Sequence, residues 1–276
     1  MCIHCGCSDL NHPTVTVFQH GNVVHTPQFH CHSHSHPHTH PAPGNENRST
    51  TTISLESDIL AKNNLLAQRN RGWFEGRNIL ALNLVSSPGS GKTTILETTI
   101  PALSDIVPVH VIEGDQASSQ DAKRIQATGC KVAQINTGTG CHLDAHMLAH
   151  GLDELQPPTD SIVLIENVGN LVCPALFDLG EFCKVAILSV TEGDDKPLKY
   201  PHMFRAAQVL LLNKVDLLPY VSFDIQRCLD YTCQVNPDLT VFQISAMRGD
   251  GMQTWHNWII DHLSSSHRST AKSETT

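Results

Sequence analysis

The amino-acid sequence predicts an α/β protein with a mostly parallel sheet and helices on both faces. From residue 79 to about residue 265, short aliphatic runs alternate with amphipathic segments, an order typical of βαβ units. Aromatic residues make up only 5% of the chain, which favours an aliphatic core over a β-sandwich. The predicted strands are residues 79–85, 107–113, 132–136, 161–166, 185–190, 209–213 and 240–244. The predicted helices between and after them are residues 93–103, 120–128, 143–152, 223–231 and 252–263.

Composition divides the chain into three stretches. Residues 1–52 are a Cys/His-rich extension and linker that holds 10 of the 18 histidines and 4 of the 10 cysteines. Prolines at positions 37, 41 and 43 exclude a helix there, so we expect no packed core in the extension. Residues 53–265 are predicted to form the α/β domain with a leading helix, and residues 266–276 a disordered tail.

Charge and hydropathy exclude several classes of protein. The net charge of -9 argues against a nucleic-acid partner or an anionic membrane surface, because both need a basic excess. No apolar run approaches the roughly 18 residues that span a bilayer, and the start of the chain lacks the features of a signal peptide. We therefore expect a cytoplasmic protein whose cysteines are thiols or metal ligands rather than disulfides.

Residues 86–94, Ser-Ser-Pro-Gly-Ser-Gly-Lys-Thr-Thr, lie between the first predicted strand and a helix, the context that a phosphate-binding P-loop requires. Lys92 would add positive charge at the β and γ phosphates, and the Thr93 hydroxyl can bind Mg²⁺. Ser86 stands where the motif usually has glycine, so the backbone there must have a negative φ. The doubled threonine resembles the branch of P-loop proteins that dimerise around nucleotide. The predicted phosphate-binding residues are Gly89, Ser90, Gly91, Lys92, Thr93 and Thr94.

The Asn-Lys-Val-Asp sequence at residues 213–216 predicts a guanine-binding loop. The Asp216 carboxylate can accept hydrogen bonds from N1–H and the exocyclic amine of guanine, which adenine cannot offer in the same geometry. Lys214 would lie along the ring face, and Asn213 would tie the loop back to the P-loop. Ser245 and Ala246, at the end of the next strand, resemble the pair whose backbone contacts the guanine carbonyl. The expected nucleotide is therefore GTP.

Acidic residues follow two of the predicted strands. Asp115 ends one strand and Glu166 ends another, and ligands bind beyond the carboxyl ends of parallel strands. Both carboxylates can reach Mg²⁺, directly or through water, so Lys92, Thr93, Asp115 and Glu166 are the candidate catalytic residues. Gly169 resembles the switch glycine that meets the γ-phosphate. The sequence shows no clear counterpart of the water-positioning glutamine, which predicts slow hydrolysis without a partner.

Two groups of cysteine and histidine are candidate metal ligands. Cys2, Cys5 and Cys7 place three thiolates within six residues, enough to wrap one soft or borderline cation; a redox-active dithiol is the alternative. Cys141 and His142 follow a glycine-rich run, and Cys173 lies just beyond the Glu166 segment, where a bound metal would respond to the nucleotide. Spacing alone leaves buried structural cysteine an equal alternative for this second group.

A row of alternating histidines is the third metal-binding feature. In an extended chain these imidazoles share one side, and imidazole suits nickel, zinc, copper and cobalt. A flexible row of this kind fits storage or buffering better than catalysis. The row consists of His30, His32, His34, His36, His38 and His40.

Taken together and in this order, the motifs resemble those of the HypB family, the GTPases that insert nickel into hydrogenase. The resemblance rests on Cys-x-x-Cys-Gly-Cys at the start, the histidine row, the P-loop, Cys-His-Leu-Asp, Glu-Asn-Val-Gly-Asn-Leu-Val-Cys-Pro and Asn-Lys-Val-Asp, and it covers nearly the whole chain. It implies a P-loop GTPase that delivers nickel during [NiFe] hydrogenase maturation. It also implies a GTP-dependent homodimer, a HypA-type metallochaperone and the hydrogenase large-subunit precursor as partners.

The resemblance also assigns the two metal sites. It places a high-affinity nickel site on Cys2, Cys5 and Cys7, and a Ni²⁺/Zn²⁺ site on Cys141, His142 and Cys173 at the dimer interface. We expect GTP and Mg²⁺ to order the segments after Asp115 and Glu166, which would close the dimer and change the geometry of the second site. The alternatives are a nickel or zinc store with a vestigial G domain, a urease-type nickel GTPase and, disfavoured by residues 213–216, a P-loop kinase.

Overall fold

The structure is a computed structural model, and it describes residues 14–19, 22–25, 48–115 and 120–270. Within these residues, nine strands form one sheet in the order β2-β1-β5-β4-β6-β3-β7-β8-β9. Every pairing from β5 to β9 is parallel, whereas β1 runs antiparallel to both β2 and β5. The strands are β1 Thr14–Gln19, β2 Asn22–His25, β3 Leu80–Ser86, β4 Val109–Asp115, β5 Lys131–Asn136, β6 Ile162–Glu166, β7 Cys183–Ser189, β8 Val209–Asn213 and β9 Thr240–Gln243.

Helices cover both faces of this sheet. Besides a 3-10 helix at Val215–Tyr220, they are α1 Arg48–Glu75, α2 Lys92–Ser104, α3 Gln120–Gln126, α4 Ala145–Leu155, α5 Cys173–Leu176, α6 Lys196–Lys199, α7 Pro201–Ala206, α8 Ile225–Val235 and α9 Met252–Thr270. None of the helices in the described ranges is long and apolar enough to cross a membrane.

The central strands are aliphatic and buried on both faces, which is typical of a parallel sheet. Every residue of β3, β6, β7 and β8 is buried, as expected when helices cover both sides of parallel strands. On one face, Leu82 packs with Ile95 of α2 and Trp255 of α9. On the other face, Ala81 belongs to a cluster with Phe74 of α1 and Leu152 of α4.

The fold class predicted from the sequence is confirmed, and the strands from residue 79 onward match their predicted positions closely. The expectation of no packed core before residue 50 is wrong for Thr14–Gln19, because Val15 and Val17 of β1 are buried. The leading helix begins at Arg48, earlier than expected, and the last helix continues to Thr270. The short helices α5, α6 and α7 were not predicted, because each is too short to show a helical period.

Parallel register brings the predicted site residues to one edge of the sheet. Leu84 of β3 and Glu113 of β4 both pair with Glu166, the last residue of β6. Farther along the sheet, Ser189 of β7 pairs with Asn213, which ends β8. Loops that follow these strands therefore lie side by side at the carboxyl edge, where open α/β sheets bind their ligands.

Candidate nucleotide and metal site

The loop between β3 and α2 requires glycine at two positions. Gly89 and Gly91 have φ values of 76° and 98°, a region that side chains with a Cβ rarely adopt. A Cβ on Gly91 would also lie 2.5 Å from Nδ2 of Asn213. Ser86, by contrast, is the last residue of β3 and has extended backbone. Serine therefore fits where the P-loop motif usually has glycine.

Side chains from the P-loop and β6 form the polar centre of the site. The Lys92 ammonium donates a hydrogen bond to Oγ of Ser86 at 2.8 Å, and the Thr93 hydroxyl donates one to Oε1 of Glu166 at 2.8 Å. Burial lowers the pKa of Lys92, while the nearby Glu166 carboxyl acts in the opposite direction. Burial also raises the pKa of Glu166 to about 7, against the effects of Lys92 and Thr93. Lys92, Thr93 and Glu166, three of the four candidate catalytic residues, therefore lie together at this edge of the sheet.

A second carboxyl group, Glu113, lies beside Glu166. Burial, together with repulsion from Glu166 and Asp115, raises the pKa of Glu113 to about 9. The Oε2 atoms of Glu113 and Glu166 are buried without a hydrogen-bond partner among the described residues. Buried carboxyl oxygens of this kind fit a hard divalent cation such as Mg²⁺, which binds oxygen ligands. Asp115 is half-buried at the end of β4, at the same edge of the sheet.

The loop after β8 is tied to the P-loop through two side chains. Asn213 donates from Nδ2 to the carbonyl of Ser90 at 2.9 Å, and its Oδ1 accepts from the Ala246 backbone N–H at 3.2 Å. Lys214 has a φ of 63° and donates to the carbonyl of Gly89 at 2.7 Å. The predicted tie between Asn213 and the P-loop is therefore present in the structure.

The guanine-binding candidate Asp216 is held by a hydroxyl. Oδ1 of Asp216 accepts a hydrogen bond from Oγ of Ser245 at 2.6 Å, so the two predicted guanine segments are joined directly. The same Oγ accepts from the Arg248 backbone N–H at 3.2 Å. These contacts fix the direction of the Asp216 carboxylate before any ligand binds.

Two residues at this edge were missed by the sequence reasoning. Glu192 accepts a hydrogen bond from the Ser90 hydroxyl at 2.9 Å, and Lys196 lies 3.0 Å from Oε2 of Glu192. The Lys196 ammonium also donates to Oγ of Ser87 at 3.2 Å. Burial acts to raise the pKa of Glu192, but hydrogen bonds led by that from Ser87 lower it. The sequence feature that could have predicted them is the run of mostly charged residues 192–196, which follows the buried strand β7 at the carboxyl edge.

Three potential metal ligands meet beside the nucleotide loops. Cys141 and His142 lie between β5 and α4, and Cys173 is the first residue of α5. Their ligand atoms all lie within 4.8 Å of one another, and all three residues are half-buried. The two Sγ atoms are 2.9 Å apart, and Sγ of Cys141 is 3.6 Å from Nδ1 of His142. Two thiols and an imidazole form a donor set suited to nickel or zinc.

Packing holds the imidazole of this group in place. The His142 ring lies against Phe177, with ring centroids 3.9 Å apart. Burial lowers the pKa of His142, although Asp144 opposes the change. Asp144 also caps α4 by accepting from the Met147 backbone N–H at 2.8 Å. The ring is therefore fixed and favoured in the neutral form that binds metals.

Residues 167–170, which follow Glu166, connect the P-loop to the loop that carries Cys141 and His142. Asn167 accepts a hydrogen bond from the Leu143 backbone N–H at 3.1 Å, and Asn170 donates to the carbonyl of Cys141 at 3.3 Å. Between these asparagines lies Gly169, where a Cβ would be 3.0 Å from Cγ of Pro88 in the P-loop. This four-residue segment thus contacts both the P-loop and the loop that carries Cys141 and His142.

The remaining described cysteines lie outside this group. Cys130, Cys183 and Cys228 are buried, and Cys233 is exposed. Burial raises the pKa of Cys130 and Cys183 to about 12 and that of Cys228 to about 11. Such thiols stay protonated near neutral pH and are poor metal ligands.

The other predicted metal ligands lie outside the described residues. They are Cys2, Cys5, Cys7, His30, His32, His34, His36, His38 and His40.

The chain matches a known protein family. A family profile described as the nucleotide-binding domain of CobW/HypB/UreG matches residues 80–243. The hydrogenase maturation factor HypB of Escherichia coli K12 is 59% identical over 207 residues, which are 75% of this chain and 71% of the relative.

The chain belongs to the HypB family. Two solved HypB structures agree with this assignment. The structure of HypB from Archaeoglobus fulgidus is 37% identical, has a TM-score of 0.69, and matches 74% of this chain and 99% of its own. HypB from Helicobacter pylori, solved in complex with nickel, is 34% identical, has a TM-score of 0.70, and matches 74% of this chain and 96% of its own. The fold is accordingly that of the HypB P-loop GTPases.

Proposed function

We propose that this HypB-family chain is a GTP-hydrolysing nickel metallochaperone, which stores nickel and delivers it during [NiFe] hydrogenase maturation. The observation that carries the proposal is the shared segment after Glu166. Through Gly169 it packs on the P-loop, and through Asn170 it holds the Cys141 loop. A change at the phosphates therefore has a short covalent and hydrogen-bonded route to the metal ligands.

The nucleotide in this proposal is GTP. Backbone N–H groups of the P-loop and the start of α2 bind the phosphates, and Lys92 adds its charge there. Asp216, oriented by Ser245, accepts the two guanine N–H groups. Thr93, Glu166 and Asp115 would hold Mg²⁺, whose charge offsets the charge that develops on the phosphates. Without a glutamine to position water, intrinsic hydrolysis is slow.

Nickel is the cargo rather than a resident cofactor. Cys141, His142 and Cys173 bind it near the nucleotide, and zinc suits the same donors. The extension adds a second site at Cys2, Cys5 and Cys7 and a weaker store on the histidine row, which begins at His30 and ends at His40. The nickel carried by the Helicobacter pylori relative supports the choice of metal.

In the proposed cycle, the state of the bound nucleotide controls nickel release. GTP orders the segments after Asp115 and Glu166 and closes a homodimer, and hydrolysis reverses this and releases nickel to a partner. The partners we propose are a HypA-type metallochaperone and the hydrogenase large-subunit precursor, in the cytoplasm. The maturation role of the Escherichia coli relative supports this place for the chain.

The test is a calorimetric titration of nickel into the full-length protein loaded with GDP or with a non-hydrolysable GTP analogue. We expect nickel affinity to differ between the two nucleotides, and the difference to vanish in Cys141→Ala. Cys233→Ala removes an exposed thiol elsewhere and serves as the matched control that keeps the difference.

Equal nickel affinity in both nucleotide states of the wild type would overturn the proposed cycle. Lys92→Ala separates a chaperone from a passive store. Storage of nickel survives the loss of phosphate binding, whereas hydrogenase maturation does not. Unimpaired maturation in Lys92→Ala would therefore favour a store with a vestigial G domain.

A further inference from the structure

Two histidines lie one turn apart on α4. His146 and His150 are four residues apart in this helix, and residues at that spacing lie one above the other on the same face. The buried side of α4, which includes Leu148 and Leu152, joins the core cluster beneath it. His146 is exposed and His150 is half-buried. Both imidazoles therefore lie on the side of α4 that solvent and ions can reach.

The two rings turn the same nitrogen toward one another. The Nε2 atoms of His146 and His150 are 3.2 Å apart, and the ring centroids are 4.5 Å apart, with 77° between the ring planes. Imidazole binds zinc at about 2.0–2.1 Å, so two neighbouring ligand nitrogens are about 2.8–3.0 Å apart at a right angle and about 3.3–3.4 Å apart at a tetrahedral angle. The observed separation lies between these values. The pair thus has the nitrogen spacing of two imidazoles that share one ion.

The charges around His150 favour a cation at this position. Burial lowers the pKa of His150, and His146 acts in the same direction, which favours the neutral ring that binds metals. The carboxylates of Asp144, Asp153 and Glu154 are close enough to act on this pKa in the opposite direction. Because they attract positive charge, the same carboxylates would stabilise a divalent cation held by the rings.

The pair lies near the Cys141/His142/Cys173 group but does not belong to it. His142 precedes His146 by four residues, a stretch of chain that spans at most about 14 Å. Within the described ranges, the group whose ligand atoms all lie within 4.8 Å of one another consists of Cys141, His142 and Cys173. An ion shared by His146 and His150 would therefore occupy a second position, farther along α4.

A hydrogen bond between the two rings is the alternative explanation of their contact. One neutral imidazole can donate to the other at this distance. Water competes for such a bond at an exposed position, so its net contribution to stability is small. A shared ion binds both rings, and its second bond forms within a complex that already exists. Because α4 fixes the spacing of the two residues, this chelation requires no further ordering of the backbone.

We propose that His146 and His150 bind a divalent transition-metal cation, such as Zn²⁺ or Ni²⁺, at a site separate from the Cys141/His142/Cys173 group. Imidazole suits both ions, and water can fill the remaining coordination positions. A site with two protein ligands releases its ion more readily than one with three, so this site exchanges metal at the surface of α4. The proposal goes beyond the function proposed above, because the site requires neither a nucleotide nor a thiolate.

The test follows each imidazole of the full-length protein by NMR, with histidine ¹³C-labelled at Cε1. The signals of His146 and His150 are assigned from their loss in His146→Gln and in His150→Gln. Zn²⁺ is added at buffered free concentrations, because it is diamagnetic and keeps the signals sharp. In the wild type we expect both signals to shift with one shared midpoint. In each single variant the remaining signal should shift only at a free Zn²⁺ concentration at least about tenfold higher.

Controls separate this site from other metal-binding positions. His202→Gln removes an exposed imidazole on α7 and should leave the shared midpoint unchanged. Cys141→Ala removes a candidate ligand of the neighbouring group and should also leave the shared midpoint unchanged. Mg²⁺, which prefers oxygen ligands, should shift neither signal.

Three results would overturn the proposal. Absence of any shift at millimolar free Zn²⁺ would leave only a hydrogen bond between the rings. Different midpoints for the two signals, or unchanged midpoints in the single variants, would show two imidazoles that act independently. Loss of the shared transition in Cys141→Ala would assign the ion to the neighbouring group. By contrast, nickel affinity that does not depend on the nucleotide would refute the proposed function and leave this site intact.

Discussion

Single residues decide whether the phosphate loop can form, and Gly91 is the sharpest case. Gly91→Ala would introduce a Cβ at a φ of 98° and 2.5 Å from Nδ2 of Asn213. The tie from Asn213 to Ser90 would then have to break. We expect at least a tenfold loss of GTP affinity, about 1.4 kcal/mol, measured by titration with a fluorescent GTP analogue. Gly129→Ala is the control, because Gly129 has a φ of 87° but no atom near its Cβ position.

If Gly91→Ala bound GTP as tightly as Gly129→Ala, neither the positive φ of Gly91 nor the close approach of Asn213 would be needed for GTP binding.

The raised pKa of Glu113 predicts how the free energy of unfolding depends on pH. Its pKa in the fold is about 9, well above the ordinary value of 4.5. Between these values the unfolded chain has lost a proton that the folded chain keeps, so the free energy of unfolding falls as pH rises. Glu113→Gln removes this titration. We expect the variant to lose less stability than the wild type between pH 5 and pH 8.5, in urea unfolding of nucleotide-free protein.

Glu75→Gln, at an exposed position at the end of α1, is the control for removing one carboxylate. A pH dependence in Glu113→Gln as steep as in Glu75→Gln would show that Glu113 does not stay protonated in the fold.

At the scale of elements, α1 positions the segments that carry the candidate metal ligands. Asn70 donates to the carbonyls of Ala145 at 2.8 Å and Leu179 at 3.0 Å, which joins α1 to the start of α4 and to the chain after α5. Asn70→Ala would leave both buried carbonyls without this partner. We expect a loss of about 1–3 kcal/mol in the free energy of unfolding. Chemical denaturation of Asn70→Ala beside Asn64→Ala, an exposed position on the same helix, measures the effect.

A loss no larger than that of Asn64→Ala would mean that water replaces both hydrogen bonds and that α1 does not fix these segments.

Strands and glycine-rich loops were predictable because their signals are local. Strand β8 is apolar in its first four residues and ends in Asn213, so both its burial and the site at its end follow from the sequence. β1 was missed although its first four residues, Thr-Val-Thr-Val, alternate with the period of a strand. Its neighbours are rich in histidine and proline, and only the long-range pairing with β5 shows that it packs. The contacts of Glu192 and Asn170 were missed for the same reason.

At the scale of the whole molecule, the proposed function depends on coupling between the nucleotide site and the metal site rather than on either alone. Asn170 offers a test because it donates a hydrogen bond to the Cys141 carbonyl at 3.3 Å and is not among the three candidate metal ligands. Asn170→Ala should leave GTP binding and nickel binding individually close to wild type. It should reduce the factor by which GTP changes nickel affinity, which for coupled sites is typically about 5–150-fold.

Thermodynamic linkage between the two sites allows the same prediction to be tested by two independent titrations. If GTP changes nickel affinity by some factor, nickel must change GTP affinity by the same factor. Both titrations of Asn170→Ala should therefore move toward a factor of one together, while the control Asn257→Ala, at an exposed position on α9, keeps the wild-type factor in both. A variant that retained full coupling would show that the hydrogen bond from Asn170 to the Cys141 carbonyl is not the route. Coupling would then have to pass through another contact, such as the hydrogen bond from the Leu143 N–H to Asn167.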